Sequence, residues 1–196
     1  MEPWFKSLVW IDYRLAVLFT VIIPLILLIW AFVQKNEPIQ RLLIIYWRVA
    51  SLLAVTVYLM IASLPISFVS GLMARLLIPL CLWFWVDLNE EIDDMSSTPL
   101  KFSFTSWRWA VTIYNVLGAI CLIPFLRCAI DSQLLASRFC QVWLDPPLLY
   151  KLYFHANTSV ALLGFLGIVG LIFYVICIGY FTFFRLGKQG RSATGH

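Results

Sequence analysis

Charge is scarce in this sequence. Lys, Arg, Asp and Glu make up 12% of its 196 residues against 62% hydrophobic ones, and the mean hydropathy is +0.91. Soluble domains carry about 25% charged residues, so a water-soluble globular protein is excluded and a bilayer is the expected solvent. Histidine is nearly missing, with only His155 and His196. A di-iron carboxylate centre built on Glu-x-x-His pairs is thereby excluded, and no nucleophile and base are grouped, so no catalytic, cofactor-binding or metal residue is expected. The 14 basic residues are spread over all the loops. A net charge of +4 without a basic cluster sets topology and gives no footprint for nucleic acid. Internal repeats are absent too, which removes the sign of the paired halves common in transporters.

What the chain does have is long apolar runs. Five stretches, at about 15–33, 42–64, 66–86, 109–126 and 158–184, approach the ~20 residues that a helix needs to cross ~30 Å of hydrocarbon. Lipid offers the backbone no hydrogen-bond partner, so each is read as a transmembrane α-helix. The expected fold is all-α and polytopic, one transmembrane domain over residues 1–196 with about five spans and a short amphipathic helix on its outer face. The first run, Leu15 to Val33, is uncharged and no small-x-small cleavage site follows it, so it is expected to be retained. Tryptophans gather near the ends of the runs, as interfacial anchors do. Pro24, Pro79 and Pro124 each remove one amide donor and free the carbonyl four residues earlier, on Thr20, Arg75 and Ile120. In "GFLGIVG", Gly164, Gly167 and Gly170 form a strip that permits close helix packing, inside the bundle or against a partner.

Lys6, Arg14, Arg127, Arg138 and Lys151 fall on one side of this topology. Lys35, Arg41, Lys101, Arg108, Arg185, Lys188 and Arg191 fall on the other, with Arg48 near enough to join them. The bias predicts an outside N-terminus and a cytoplasmic C-terminus, with the 127–155 loop outside and the 87–108 loop inside.

Two polar features stand out. Arg75 lies 10 residues after Pro65 and 12 before Asp87, which at ~1.5 Å per residue is mid-bilayer. Such a charge costs roughly 2.5–3.5 kcal/mol to insert and should face the bundle with partners. Thr56 and Asn115 fall at similar height, and the sequence places no carboxylate within the spans. Arg75 is therefore read either as a structural clasp on carbonyls and the Asn115 amide, or as an anion or lipid-headgroup site. Arg48 is shallower, and snorkelling suffices for it.

The second feature is "WFWVDLNEEIDDM", where Asp87, Glu90, Glu91, Asp93 and Asp94 place five of the ten carboxylates in eight positions. Continued from the third helix, Asp87, Glu90, Glu91 and Asp94 recur at i, i+3, i+4 and i+7 and give one negative face. A solvated helix end, a docking surface for a basic partner and a hard-cation site are the three readings. The glycine-bearing spacing of a calcium loop is missing, which weakens the last.

Between the fourth and fifth runs, Ile130, Leu134, Leu135, Phe139, Val142 and Trp143 follow helical spacing, with Asp145-Pro146-Pro147 as the stop. Cys128 and Cys140 share this outer loop, where an oxidising compartment would permit a disulfide, whereas a single helix would put them roughly 18 Å apart, beyond the ~7 Å that a disulfide spans. This segment is expected to lie on the outer membrane face.

The segments "SLVWIDYRLAVLFTVIIPLILLIWAFV", "IQRLLIIYWRVASLLAVTVYL", "RLLIPLCLWFWVDLNEEIDD" and "SWRWAVTIYNVLGAI" resemble an uncharacterised family of small multi-pass membrane proteins of cyanobacteria. The similarity covers most of residues 7–125. It implies an integral protein of the plasma or thylakoid membrane, with no activity or site to carry over. From the residues, the expected function is a non-catalytic one. The chain reads as an assembly factor or accessory subunit, embedded among membrane lipids and docking to a complex with a basic cytoplasmic surface. The other class is a small transporter or lipid- and anion-handling protein centred on Arg75.

Overall fold

A computed structural model describes residues 3–186; the charges counted at Lys188 and Arg191, and His196, lie outside the described residues. Among the described residues the chain is helical and strand-free. Five helices are long and apolar enough to cross a membrane: Trp4–Val33, Glu37–Ile61, Ile66–Phe84, Pro99–Ile130 and Val160–Phe184. The first span opens eleven residues before Leu15 and the fourth ten before Trp109, because helical geometry continues past the apolar window wherever polar side chains find partners. That extension brings Asp12 into a span.

The first span consists of α1 (Pro3–Val17), a π-helical turn (Leu18–Ile22) and α2 (Ile23–Val33). Pro24 has no amide to give to Thr20, and the turn's i+5 bonding, with Ile23 N–H reaching Leu18 O, leaves Phe19 O free as well. Other helices supply both donors: the Tyr46 hydroxyl bonds Thr20 O at 2.7 Å, and Trp107 Nε1 bonds Phe19 O at 2.8 Å. The carbonyl expected on Thr20 is thus free of its own helix and clamped by a neighbour.

Short turns join α2 to α3 (Glu37–Ile61) and α3 to α4 (Ile66–Phe84), with Lys35 and Ser63 both at φ 53°. Asn36 caps α3 by accepting from Ile39 N–H. Thr98 caps α6 (Pro99–Leu122) through Lys101 N–H, and Ser159 caps α10 (Val160–Tyr180) through Leu162 N–H. Proline in the first turn of α3 and α6 adds a preset φ.

The acidic block does not extend α4. Trp85 adopts an extended conformation (φ −83°, ψ 99°), which ends α4 and starts a separate helix, α5 (Val86–Asp94). The break lets Trp85, Leu88 and Ile92 all enter the core formed with Leu27, Leu42, Tyr46, Phe104 and Trp107. A continuous helix would have carried them away from it.

At the opposite end a second core gathers Phe68, Leu122, Phe125 and Leu144 around a disulfide. Here the expected single helix is corrected. The chain forms α7 (Arg127–Ile130), α8 (Ser132–Leu135) and α9 (Arg138–Phe154), broken at Asp131 and at Ser137. Asp131 turns its carboxylate onto the amides of Gln133 (2.9 Å) and Leu134 (3.2 Å), capping α8 instead of continuing α7. The chain therefore folds back, Cys128 and Cys140 stand with Cα atoms 6.0 Å apart, and they are bonded. Pro146 and Pro147 do not stop α9. Both stand inside the helix, each without an amide for the carbonyl four residues earlier, on Val142 and Trp143, and both rings are buried.

Candidate functional site

Arg75 sits nine residues into α4, buried at 8% exposure. Its partner is Asp12 of α1, with Nη2 to Oδ2 at 2.5 Å. The reading of a span without a carboxylate is corrected by this pair. Tyr114 of α6 completes it: its hydroxyl lies 2.9 Å from Asp12 Oδ1 and 2.9 Å from the Asp12 carbonyl, and its ring lies under the guanidinium at 5.3 Å. One turn on, Gly118 makes room. A Cβ there would overlap Arg75 Nη1 and Cζ, so α6 needs glycine where the guanidinium crosses it. Arg75 Nη1 itself is buried without a hydrogen-bond partner.

Neither expected partner of Arg75 serves it. The buried Asn115 amide donates to Val111 O at 2.8 Å on its own helix, and Thr56 donates to Leu52 O and meets Ser70 Oγ at 2.8 Å. Opposite charge and a favourable height on α1 outweigh both, because an ion pair relieves the insertion cost more than a neutral amide does.

On α5 the carboxylates separate. Glu90, Glu91, Asp93 and Asp94 are exposed and Asp87 is half-buried, while Leu88 and Ile92 are fully buried. Two cations from α6 secure the helix. Arg108, 3% exposed, donates to Asn89 Oδ1 at 2.5 Å, faces Asp93 Oδ1 at 3.7 Å and stacks over the Trp83 ring at 4.3 Å. Lys101 Nζ donates to the carbonyls of Asp93 (2.7 Å) and Met95 (2.6 Å), closing the C-terminal end of α5. Read from sequence as mere topology charges, both are in fact what fixes α5 to the bundle. Asn89 carried the missing signal: it is the one uncharged polar residue inside the acidic run, and it faces the arginine.

The glycine strip is used inside the chain. Gly164 meets Ala62, Gly167 meets Leu59 and Gly170 meets Val55, all on or just beyond α3; a Cβ at Gly164 would stand 2.6 Å from Ala62 Cβ. The Tyr174 hydroxyl adds a bond to Val49 O at 3.2 Å. His155 pairs its Nε2 with the Tyr58 hydroxyl at 3.1 Å. Beside it, burial and the neighbouring Tyr58 hold the Tyr150 hydroxyl above its ordinary pKa. Lys6 and Asp145 pair at 3.0 Å and tie α1 to α9. Among the described residues no three His, Cys, Asp or Glu side chains come together as a metal-holding group.

Over residues 6–194 the chain matches the family described as a protein of unknown function, DUF3177, and it belongs to that family. No curated protein and no solved structure matches it.

Proposed function

We propose that this membrane-embedded member of the family is a non-catalytic interaction protein, an assembly factor or accessory subunit of a larger membrane complex. In this reading it docks a basic partner surface through α5. The observation that carries the proposal is the division of α5 into two faces. Leu88 and Ile92 are fully buried, Arg108 and Lys101 hold the helix down, and Glu90, Glu91 and Asp94 are left exposed. A helix end needs only one or two polar residues to stop in the headgroup layer, so this negative face exceeds what termination requires. Like charges held together also repel one another, a cost that a cationic partner relieves.

With the charge bias, the N-terminus and the disulfide-bonded layer face outward and α5 faces the cytoplasm, in a plasma or thylakoid membrane. The alternative, a small transporter or lipid- and anion-handling protein centred on Arg75, is weakened by Asp12, which already neutralises the guanidinium. An intramembrane partner on the glycine strip is also disfavoured, since α3 covers it.

The test is copurification of a tagged copy in mild detergent at low and high salt. Asp93 is left intact because Arg108 faces it, and Glu90→Gln, Glu91→Gln and Asp94→Asn are combined. The triple variant should insert normally and lose its partner at low salt, since charge steering governs association and is screened beyond about 8 Å at physiological salt. Retention of every partner at both salt levels would reduce the block to a solvated helix end.

A further inference from the structure

The first span is anchored on both sides of its π-helical turn. Before the turn Asp12 of α1 meets Arg75 and Tyr114; after it Leu27 and Ala31 of α2 are buried in the core. Within the turn Ile23 N–H reaches Leu18 O. In an uninterrupted α-helix the same amide would bond Phe19 O, four residues back. The span thus has two ways to bond its backbone, and they differ in which carbonyls are left over.

The Thr20 carbonyl gains nothing from the α arrangement, because residue 24 is proline and has no amide to offer it. The Tyr46 hydroxyl, at 2.7 Å, is its donor. The Phe19 carbonyl is different. It needs an outside donor only in the π arrangement, where Trp107 Nε1 supplies one at 2.8 Å. A carbonyl shut away from water without a donor is costly. Trp107 therefore favours the π arrangement over the α one, whereas Tyr46 serves both. Closing the turn to α would rotate one end of the span by the step of a single residue. Leu27 and Ala31 are sealed in the core while the Asp12 side chain is 23% exposed, so α1 is the end that can move, and Asp12 would leave Arg75.

We propose that the first span is a two-register element: the π register pairs Asp12 with Arg75, the α register unpairs them, and Trp107 biases the span toward the first. Helix register shifts of this kind occur on the microsecond to millisecond scale. The ion pair and Trp107 hold the same register from opposite ends, so each should make the other matter more. This device does not rest on docking at α5.

The test compares Tm in detergent for Trp107→Phe and Tyr46→Phe, each made in the wild-type chain and in the Asp12→Leu, Arg75→Leu double variant, where no ion pair holds the π register. Trp107→Phe should lower the wild-type Tm by about 4–8 °C, the loss expected for one buried carbonyl without its donor. In the double variant the turn is free to close to α, and the same substitution should cost about half as much or less. Tyr46→Phe should cost the same in both chains, since Thr20 O needs its donor in either register. Equal losses from Trp107→Phe in the two chains would overturn the proposal. So would a Tyr46→Phe loss that shrinks in the double variant alongside that of Trp107→Phe, because that pattern reports general loosening of the bundle. Should Trp107→Phe fail to fold, Trp107→Met, which also lacks the donor, takes its place in the same comparison.

Discussion

Asp12 Oδ2 and Arg75 Nη2 lie 2.5 Å apart, joining the first span to the third across 63 positions of sequence. The side chains are 23% and 10% exposed, so the pair is shielded but not sealed. Two charges that would each be costly alone are kept in the membrane by neutralising one another, with the Tyr114 hydroxyl on the second carboxylate oxygen.

The pair sets up a double-mutant cycle. Asp12→Leu or Arg75→Leu alone should lower stability by about 3 kcal/mol, because each leaves a shielded charge uncompensated. Asp12→Leu with Arg75→Leu should be close to neutral. Thermal unfolding in detergent measures all of these, and strictly additive losses would mean the two side chains do not act together.

Gly118→Ala should cost about 1–3 kcal/mol through overpacking against the guanidinium. The loss should vanish when Arg75 is shortened to Ala, since the overlap is with Arg75 Nη1 and Cζ. Unfolding temperatures of the two single variants and the double variant decide the matter.

Gly164→Leu should push α10 away from α3, for a Cβ at this position already meets Ala62. Gly179→Leu, where nothing lies within 4 Å, should leave stability unchanged. Cross-linking between cysteines introduced on the two helices, together with Tm, separates the outcomes. Equal tolerance of both substitutions would contradict the packing.

The disulfide should appear as a mobility difference between reduced and unreduced protein, absent in Cys128→Ser. Its removal should lower stability by about 2–4 kcal/mol. Disulfides persist in oxidising compartments. A thiol-reactive, membrane-impermeant reagent applied to intact cells should therefore label a cysteine introduced at the exposed Ile130 and leave one at Ser96 unlabelled. The opposite pattern would reverse the proposed orientation.

The spans were legible in the sequence because twenty apolar residues in a row leave few alternatives, and the freed Thr20 carbonyl was legible because proline lacks an amide. Asp12 was not. A hydropathy window opens at Leu15 and leaves the acid outside, although helical geometry carries on through it and the compensating charge is 63 residues away. The disulfide was hidden by a similar cause. Helical spacing persists from Ile130 to Trp143 even though Asp131 and Ser137 break the backbone, because capping is decided by single side chains and periodicity by many. At Trp85 the choice between one helix and two depended on where Leu88 and Ile92 could be buried, which only the assembled core determines. For the same reason the roles of Arg108 and Lys101 emerge only once α5 has packed on α3, where the two α6 side chains reach it.

The π-helical turn at Leu18–Ile22 changes the phase of the first span. Wider than an α-turn by one residue, it rotates everything before it by roughly 100° relative to everything after it, given 3.6 residues per turn. Leu27 and Ala31 of α2 point into the core, and the rotation aims Asp12 of α1 at Arg75 from the same continuous span. Deleting one residue from the turn would leave the apolar length of the span almost unchanged, yet it would swing the carboxylate out toward the lipid and strand the arginine.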